Sequence, residues 1–169
     1  QSVFLEIFLK ALKKKLKHPI ILISSKNVLK KNIRKFNNNL KLNELNKNFS
    51  NLKKEKINLV NVDYNKFTFS NKKISSISNT FIEKSFTKAL EIIKKRGCCG
   101  LINGPISKKS FLRGRYNGIT EYLAKKTNSR HPVMLIYNKQ LAVSPLTTHI
   151  PISRVSKNVK KKDIIIKIK

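Results

Sequence analysis

Apolar and polar residues recur along this chain in two periods, and the switch from one to the other marks out its elements. In residues 1–16, Val3, Phe4, Ile7, Phe8, Ala11 and Leu12 fall at helical spacing, with Lys10, Lys13, Lys14 and Lys17 opposite them. That spacing predicts an amphipathic helix. His18-Pro19 ends it, and residues 19–24 form a continuous apolar run of strand length. Such runs fit a parallel strand buried on both faces. Ser24 or Ser25 can cap a second helix over residues 26–37. Residues 38–56 are rich in Asn and Lys and read as irregular, with room for one short strand. Residues 57–62 give a further strand, and residues 66–77 a loop with space for an edge strand at 67–69.

Ser78 opens the clearest helix. Phe81, Ile82, Ser85, Phe86, Ala89, Leu90 and Ile93 make its stripe, and Gly97 stops it as a C-cap. A strand over 99–102 follows, then short helices over 107–112 and 120–126, the second with Thr120 as N-cap. Residues 133–137 and 141–146 read as antiparallel strands joined by a turn at 138–140. Residues 153–162 read as loop and 163–169 as a helix. Strands alternating with helices indicate an α/β domain with a largely parallel sheet.

Composition changes this picture little. With 169 residues, 40% of them hydrophobic, the chain suits one globular domain or part of a larger one. Its formal net charge of +30 points first to nucleic acid or an acidic membrane surface. However, lysine far outnumbers arginine, abundant Asn and Ile accompany it as AT-rich codons would dictate, and the lysines are spread along the chain. Nucleic-acid readers favour arginine and interleaved aromatics. The charge therefore reads as solvated surface, with no nucleic-acid partner expected.

No apolar run reaches 18 residues, so no membrane partner is expected either. Cys98 and Cys99 are adjacent and offer no disulfide framework. They read as small hydrophobes at the start of a buried strand. A cytoplasmic location is the expectation. The chain opens directly in a helix at Gln1, so a missing N-terminus is expected as well.

All five glycines and four of the five prolines lie between Gly97 and Pro151. Candidate chemistry gathers there too. In Leu101-Ile102-Asn103-Gly104-Pro105-Ile106-Ser107-Lys108, an apolar run breaks at a Gly-Pro turn, and Lys108 can reach an anion held at the following helix start. On spacing alone an ordinary strand-to-helix turn with a surface lysine fits better, since the phrase is shorter and looser than a full phosphate-loop motif. Thr120 and Glu121 after Gly118 can present a hydroxyl and backbone N–H groups to a phosphate, or form a plain helix cap. His149 in Thr147-Thr148-His149-Ile150-Pro151 follows a strand, where chemistry would want it. One histidine makes no metal site, because an open catalytic site takes about three protein ligands.

Taken in order, Asn103-Gly104-Pro105-Ile106-x-Lys108, Gly118-Ile119-Thr120-Glu121, Val133-Met134-Leu135 and Thr147-Thr148-His149-Ile150-Pro151 resemble the 4-hydroxythreonine-4-phosphate dehydrogenase family of pyridoxal phosphate biosynthesis. Glu6-Ile7 is similar to the end of the family's first loop. The resemblance implies α/β/α layers like those of isocitrate and isopropylmalate dehydrogenases, here truncated at both ends. Residues 1–169 would be an incomplete α/β domain, roughly the first half of a longer two-domain enzyme. It implies NAD-dependent oxidation of the substrate's secondary alcohol and decarboxylation to an amino ketone phosphate. A divalent metal (Zn, Mg or Co) and a homodimer with its site at the subunit contact come with it.

By the same resemblance His149 is a metal ligand, Lys108 a catalytic residue and Thr120 a substrate contact. Ile119 stands where the family has a substrate-contacting histidine, and Asn103 where it usually has threonine. The family's other two metal histidines and most of its nicotinamide-binding half correspond to positions beyond Lys169, so the chain alone is expected to be inactive. Ile119 keeps open a related dehydrogenase of another phosphorylated hydroxy acid. From other classes, a basic nucleic-acid-binding module and a non-catalytic phosphate-binding domain remain as alternatives.

Overall fold

The computed structural model of the chain describes residues 3–14, 16–36, 39–46, 51–64, 74–96 and 98–168. These fall into two compact units, Gln1–Phe111 and Leu112–Lys169. The first holds α1 (Phe4–Ala11), β1 (Ile21–Ser24), α2 (Lys26–Lys35), β2 (Leu42–Glu44), β3 (Ile57–Asn61), α3 (Ile74–Arg96) and most of α4 (Lys108–Leu112). The second holds α5 (Ile119–Lys126), β4 (Ile136–Tyr137), β5 (Ala142–Val143), a 3₁₀ turn at Ile152–Arg154, α6 (Val155–Asn158) and α7 (Lys161–Ile168).

In the first unit all strand pairs are parallel, in the order β1-β3-β2, with Ile21 opposite Asn58 and Leu42 opposite Ile57. Successive side chains point to opposite faces of a sheet, and both faces are covered here. Leu22, Ile57 and Leu59 pack with Leu5 and Leu9 of α1 and Leu29 of α2. Ile21, Ile23 and Val60 pack with Ile92 of α3, Leu45 and Cys98. This unit is an α/β/α sandwich, and its central strand β3 is apolar on both sides because neither side meets water. Burying a leucine as fully as Leu9, Leu29 or Leu59 contributes about 1.5–3 kcal/mol each.

One polar residue breaks the apolar run of β3. Asn58 is fully buried, and both ends of its amide are occupied. Its Oδ1 accepts from Asn43 Nδ2 and from the Lys53 N–H, each at 2.8 Å; its Nδ2 donates to the carbonyls of Lys53 at 3.0 Å and Ile20 at 3.2 Å. Asn58 thus ties the segment before β3 to the strand beside it.

In the second unit β4 and β5 form a two-stranded antiparallel ribbon, with Ile136 opposite Val143 and Tyr137 opposite Ala142. Asn138 Oδ1 accepts from the N–H groups of Gln140 and Leu141 and closes the turn between them. Tyr122 of α5 is buried, edge-on to Tyr116 with ring centroids 5.5 Å apart. Among the described residues, no helix is long and apolar enough to cross a membrane.

Several expectations from the sequence need correction. The first helix runs only over Phe4–Ala11, and its buried face is Leu5 and Leu9, flanked by Phe4, Phe8 and Leu12; Val3 and Ile7 are exposed. Residues 3–12 are apolar almost all round, so contact with the sheet selects the face. Ser25 occupies the N-cap of α2, but neither Ser24 nor Ser25 caps through its side chain. The Lys26 N–H instead donates to Asn61 Oδ1 at 2.8 Å, a cap supplied from the end of β3. Residues 74–77, read as loop, belong to α3, whose buried positions are Ile77, Phe86, Ala89 and Ile92. The proposed edge strand at 67–69 and the Gly97 cap lie outside the described residues.

No strand forms over residues 99–102. Gly100 interrupts the run, and Ile102 is 82% exposed, so the segment buries too little apolar surface to support a ladder. Cys98 packs on the α3 side of the sheet while Cys99 is exposed, which leaves only the first as a core residue. The antiparallel pair over 133–146 forms as expected but pairs only two residues on each strand. Residues 153–162 hold a 3₁₀ turn and α6 rather than plain loop, and α7 begins at Lys161.

Candidate functional site

Lys108 is the first residue of α4 and is exposed. The element beneath it is held in two ways. Phe111 stacks on Phe86 of α3 at 6.0 Å between centroids, and Asn79 of α3 exchanges hydrogen bonds with Ser110. Asn79 Nδ2 donates to the Ser110 carbonyl at 2.7 Å, and the Ser110 hydroxyl donates to Asn79 Oδ1 at 3.3 Å. The Phe111 N–H closes the first turn on the Ser107 carbonyl at 2.9 Å. A short helix that would be marginal alone is therefore fixed on a long one.

The loop entering α4 crosses α1. A Cβ added to Gly104 would lie 2.2 Å from the Phe4 ring, well inside any real contact. Glycine is needed here for close approach, and the group approaching is the side chain of Phe4. Asn103 is exposed, its amide donating to the Gly104 carbonyl at 3.2 Å.

Ile119 and Thr120 form the first turn of α5, both half-buried. The expected cap at Thr120 is displaced by two residues: Gly118 is the N-cap, in extended conformation, and Thr120 lies within the helix. Glu121 folds back over the cap, its Oε2 only 2.8 Å from where a Gly118 Cβ would stand. Glu121 thus occupies the place of the acidic member of a capping box, three residues after the cap, with glycine in place of the usual hydroxyl residue. Glu121 three positions after Gly118 was the signal in the sequence. The Asn79–Ser110 pair had none, because 31 residues separate its members.

His149 is exposed and sits in the left-handed region, φ 59°. Histidine tolerates this conformation better than most residues, and a non-glycine residue there marks a chain held from outside. Thr147 is half-buried and Thr148 exposed beside it. Ile119, Thr120 and His149 belong to the second unit and Lys108 to the first.

The donor set does not by itself fit a metal ion. His149 is one imidazole, and the described residues contain no group of three or more His, Cys, Asp or Glu side chains able to hold a cation. Gly100 and Gly104 likewise do not have the spacing of a dinucleotide-binding fingerprint. Chemistry available from these residues is recognition of an anion by Lys108, hydrogen bonding by Thr120 and a single nitrogen ligand from His149.

Residues 15–169 match the family described as Pyridoxal phosphate biosynthetic protein PdxA. The chain is 33% identical over 170 residues to the 4-hydroxythreonine-4-phosphate dehydrogenase of Sulfurihydrogenibium sp. (strain YO3AOP1), covering 97% of this chain and 51% of that protein. It is 38% identical over 72 residues to the same enzyme of Aquifex aeolicus (strain VF5), covering 41% of this chain and 22% of the relative. The chain thus spans about half the length of the first of these relatives.

Among solved structures, the 4-hydroxythreonine-4-phosphate dehydrogenase from Burkholderia phymatum superposes with a TM-score of 0.82 at 18% identity, over 99% of this chain and 52% of that one. The enzyme from Klebsiella pneumoniae gives 0.80 at 18% identity, over 99% and 53%. The fold is therefore the isocitrate-dehydrogenase-like α/β arrangement with a parallel sheet. With the sequence match running through all the site phrases, the chain belongs to the PdxA family of pyridoxal phosphate biosynthetic proteins.

Proposed function

We propose that the chain serves a 4-hydroxythreonine-4-phosphate dehydrogenase, which oxidises the secondary alcohol of its phosphorylated substrate with NAD and releases CO₂ to leave an amino ketone phosphate. The observation that carries this reading is the family match over residues 15–169, a range that includes Lys108, Thr120 and His149. In this reading NAD would supply the hydride acceptor, and His149 would be one ligand of a divalent cation (Zn, Mg or Co). Among the described residues His149 alone does not make a metal site. Lys108, with its ammonium group in solvent at the head of α4, meets the negative charge of the substrate. Thr120 offers its hydroxyl from the first turn of α5, where helix N–H groups also favour an anion.

The reading includes a cytoplasmic homodimer with its site at the subunit contact. Exposed apolar residues along the ribbon, among them Leu135, Ile136, Tyr137 and Leu141, support it as a surface that gains from being covered. Ile119 favours a second reading of the same chemistry. A half-buried aliphatic side chain in the first turn of α5 offers no hydrogen bond, which suits another phosphorylated hydroxy acid.

Complementation tests the proposal. The whole reading frame, with and without His149→Ala, is expressed in a bacterial host made dependent on supplied pyridoxine by loss of this dehydrogenase. Growth without pyridoxine from the unaltered frame, and none from His149→Ala, is the expected result. Failure of the unaltered frame to restore growth, with the protein present in soluble form, overturns it. Growth restored by a frame carrying Ile119→His and not by the unaltered one moves the assignment to the second reading.

A further inference from the structure

The corner that carries His149 has almost no support of its own. The ribbon ladder ends at Val143, and Pro145 has no N–H to extend it. The carbonyls of Pro145 and Leu146 lie just past the last ladder bond, in half-buried residues, and need donors. Lys167 supplies them. Its Nζ donates to the Pro145 carbonyl at 2.9 Å and to the Leu146 carbonyl at 2.8 Å. Among the described residues, these are the only hydrogen bonds made to residues 145–150.

The pattern of α7 points the same way. Its half-buried positions are Asp163, Ile166 and Lys167, spaced as one helical face, while Ile164, Ile165 and Ile168 are exposed. A lysine on the inward face of a helix with isoleucines outside is the reverse of an amphipathic pattern. It is explained by a polar task on the inner side, and the two carbonyls provide one. Leu146 is three residues before His149, a tether of about 10 Å at full extension. Fixing it limits where the left-handed turn at His149 can form.

We infer that Lys167 is a positioning residue: through the carbonyls of Pro145 and Leu146 it holds the corner that presents His149. The link to catalysis rests on the reading of His149 as a metal ligand, but the positioning itself does not. NMR of the metal-free 169-residue chain reads it directly, because the amide–Hα coupling and the Cα and Cβ shifts of His149 report its φ. Lys167→Met keeps the aliphatic stem and removes the donors. It is expected to abolish the left-handed signature at His149, whereas Lys162→Met on the same helix leaves it in place.

An unchanged His149 signature in folded Lys167→Met overturns the inference, as does an equal loss in Lys162→Met. Should Lys167→Met fail to fold, Lys167→Arg carries the test. Retention of the signature with the new donors supports the role, and its loss in a folded protein overturns it. None of these outcomes depends on substrate, NAD or metal. Failure of the dehydrogenase reading would appear separately, as absence of growth in the complementation experiment.

Discussion

Gly104 shows how a single hydrogen can decide where a site loop runs. The Phe4 ring occupies the space that any side chain at Gly104 would need. Gly104→Ala is expected to destabilise the chain by about 1–3 kcal/mol, the usual cost of overpacking, read from urea denaturation. If the clash is the cause, Phe4→Ala added to Gly104→Ala recovers part of that loss, giving a coupling of the sign expected for relieved overlap. Additive losses would sink the explanation. Asn58 is the opposite kind of residue, one whose value lies in what it binds. Asn58→Leu fits the apolar surroundings in volume but strands the Lys53 N–H, two carbonyls and Asn43, at an expected cost of about 3 kcal/mol. A neutral result in the same denaturation assay would show that water replaces the lost partners. Neither role was legible beforehand. A glycine in a loop and an asparagine in a strand look alike whether or not something packs on them.

At the scale of elements, legibility followed burial. β1 and β3 stood out as apolar runs because helices cover both faces of their sheet, whereas β2, with the sequence Leu-Asn-Glu, carries no signal and exists through its pairing with β3. Residues 99–102 carried the signal and form no strand, because their apolar side chains find nothing to pack on. The starts of α4 and α5 were read to within two residues: Lys108 sits on a first helical turn as expected, whereas Thr120, expected as the cap, and Ile119 before it both lie inside the first turn of α5. The left-handed turn at His149 had no local signature, since it depends on what holds the corner.

Helix ends carry two further tests. Asn61→Ala removes the cap of α2 and should cost about 1 kcal/mol, visible as a lower urea midpoint; no change would mean that solvent serves the Lys26 N–H as well. On α1, the hydrogen bond and then the charge of Lys10, with a smaller contribution from Lys35, hold the Glu6 carboxyl below its ordinary value of 4.5. A depressed carboxyl stabilises the fold above its ordinary value, and that contribution is lost as pH falls below 4.5 through the lowered value. Glu6→Gln should therefore make stability less dependent on pH in that acid range. An unchanged acid profile would show that the pair at 2.7 Å contributes nothing.

For the whole molecule the governing quantity is charge. Basic residues outnumber acidic ones 38 to 8, so the ion pairs that form, such as Lys10–Glu6, Lys26–Glu44 and Lys88–Glu91, leave most of the positive charge unbalanced. A net charge this far from zero keeps a protein soluble and strains its compact state through self-repulsion. The strain must relax as salt shortens the reach of each charge, from a Debye length of about 30 Å at 0.01 M to about 3 Å at 1 M. The thermal midpoint is therefore expected to rise by several degrees between those limits, an increment on the order of 1–2 kcal/mol for a chain of this size. Sodium chloride and potassium chloride should act alike, because screening depends on ionic strength and not on a bound ion. A midpoint that stays flat would mean the lysines are spaced widely enough to ignore one another. A rise confined to phosphate or sulfate, at concentrations too low to screen, would instead reveal specific anion binding. Replacing Lys108 would then ask whether the head of α4 is where that anion sits.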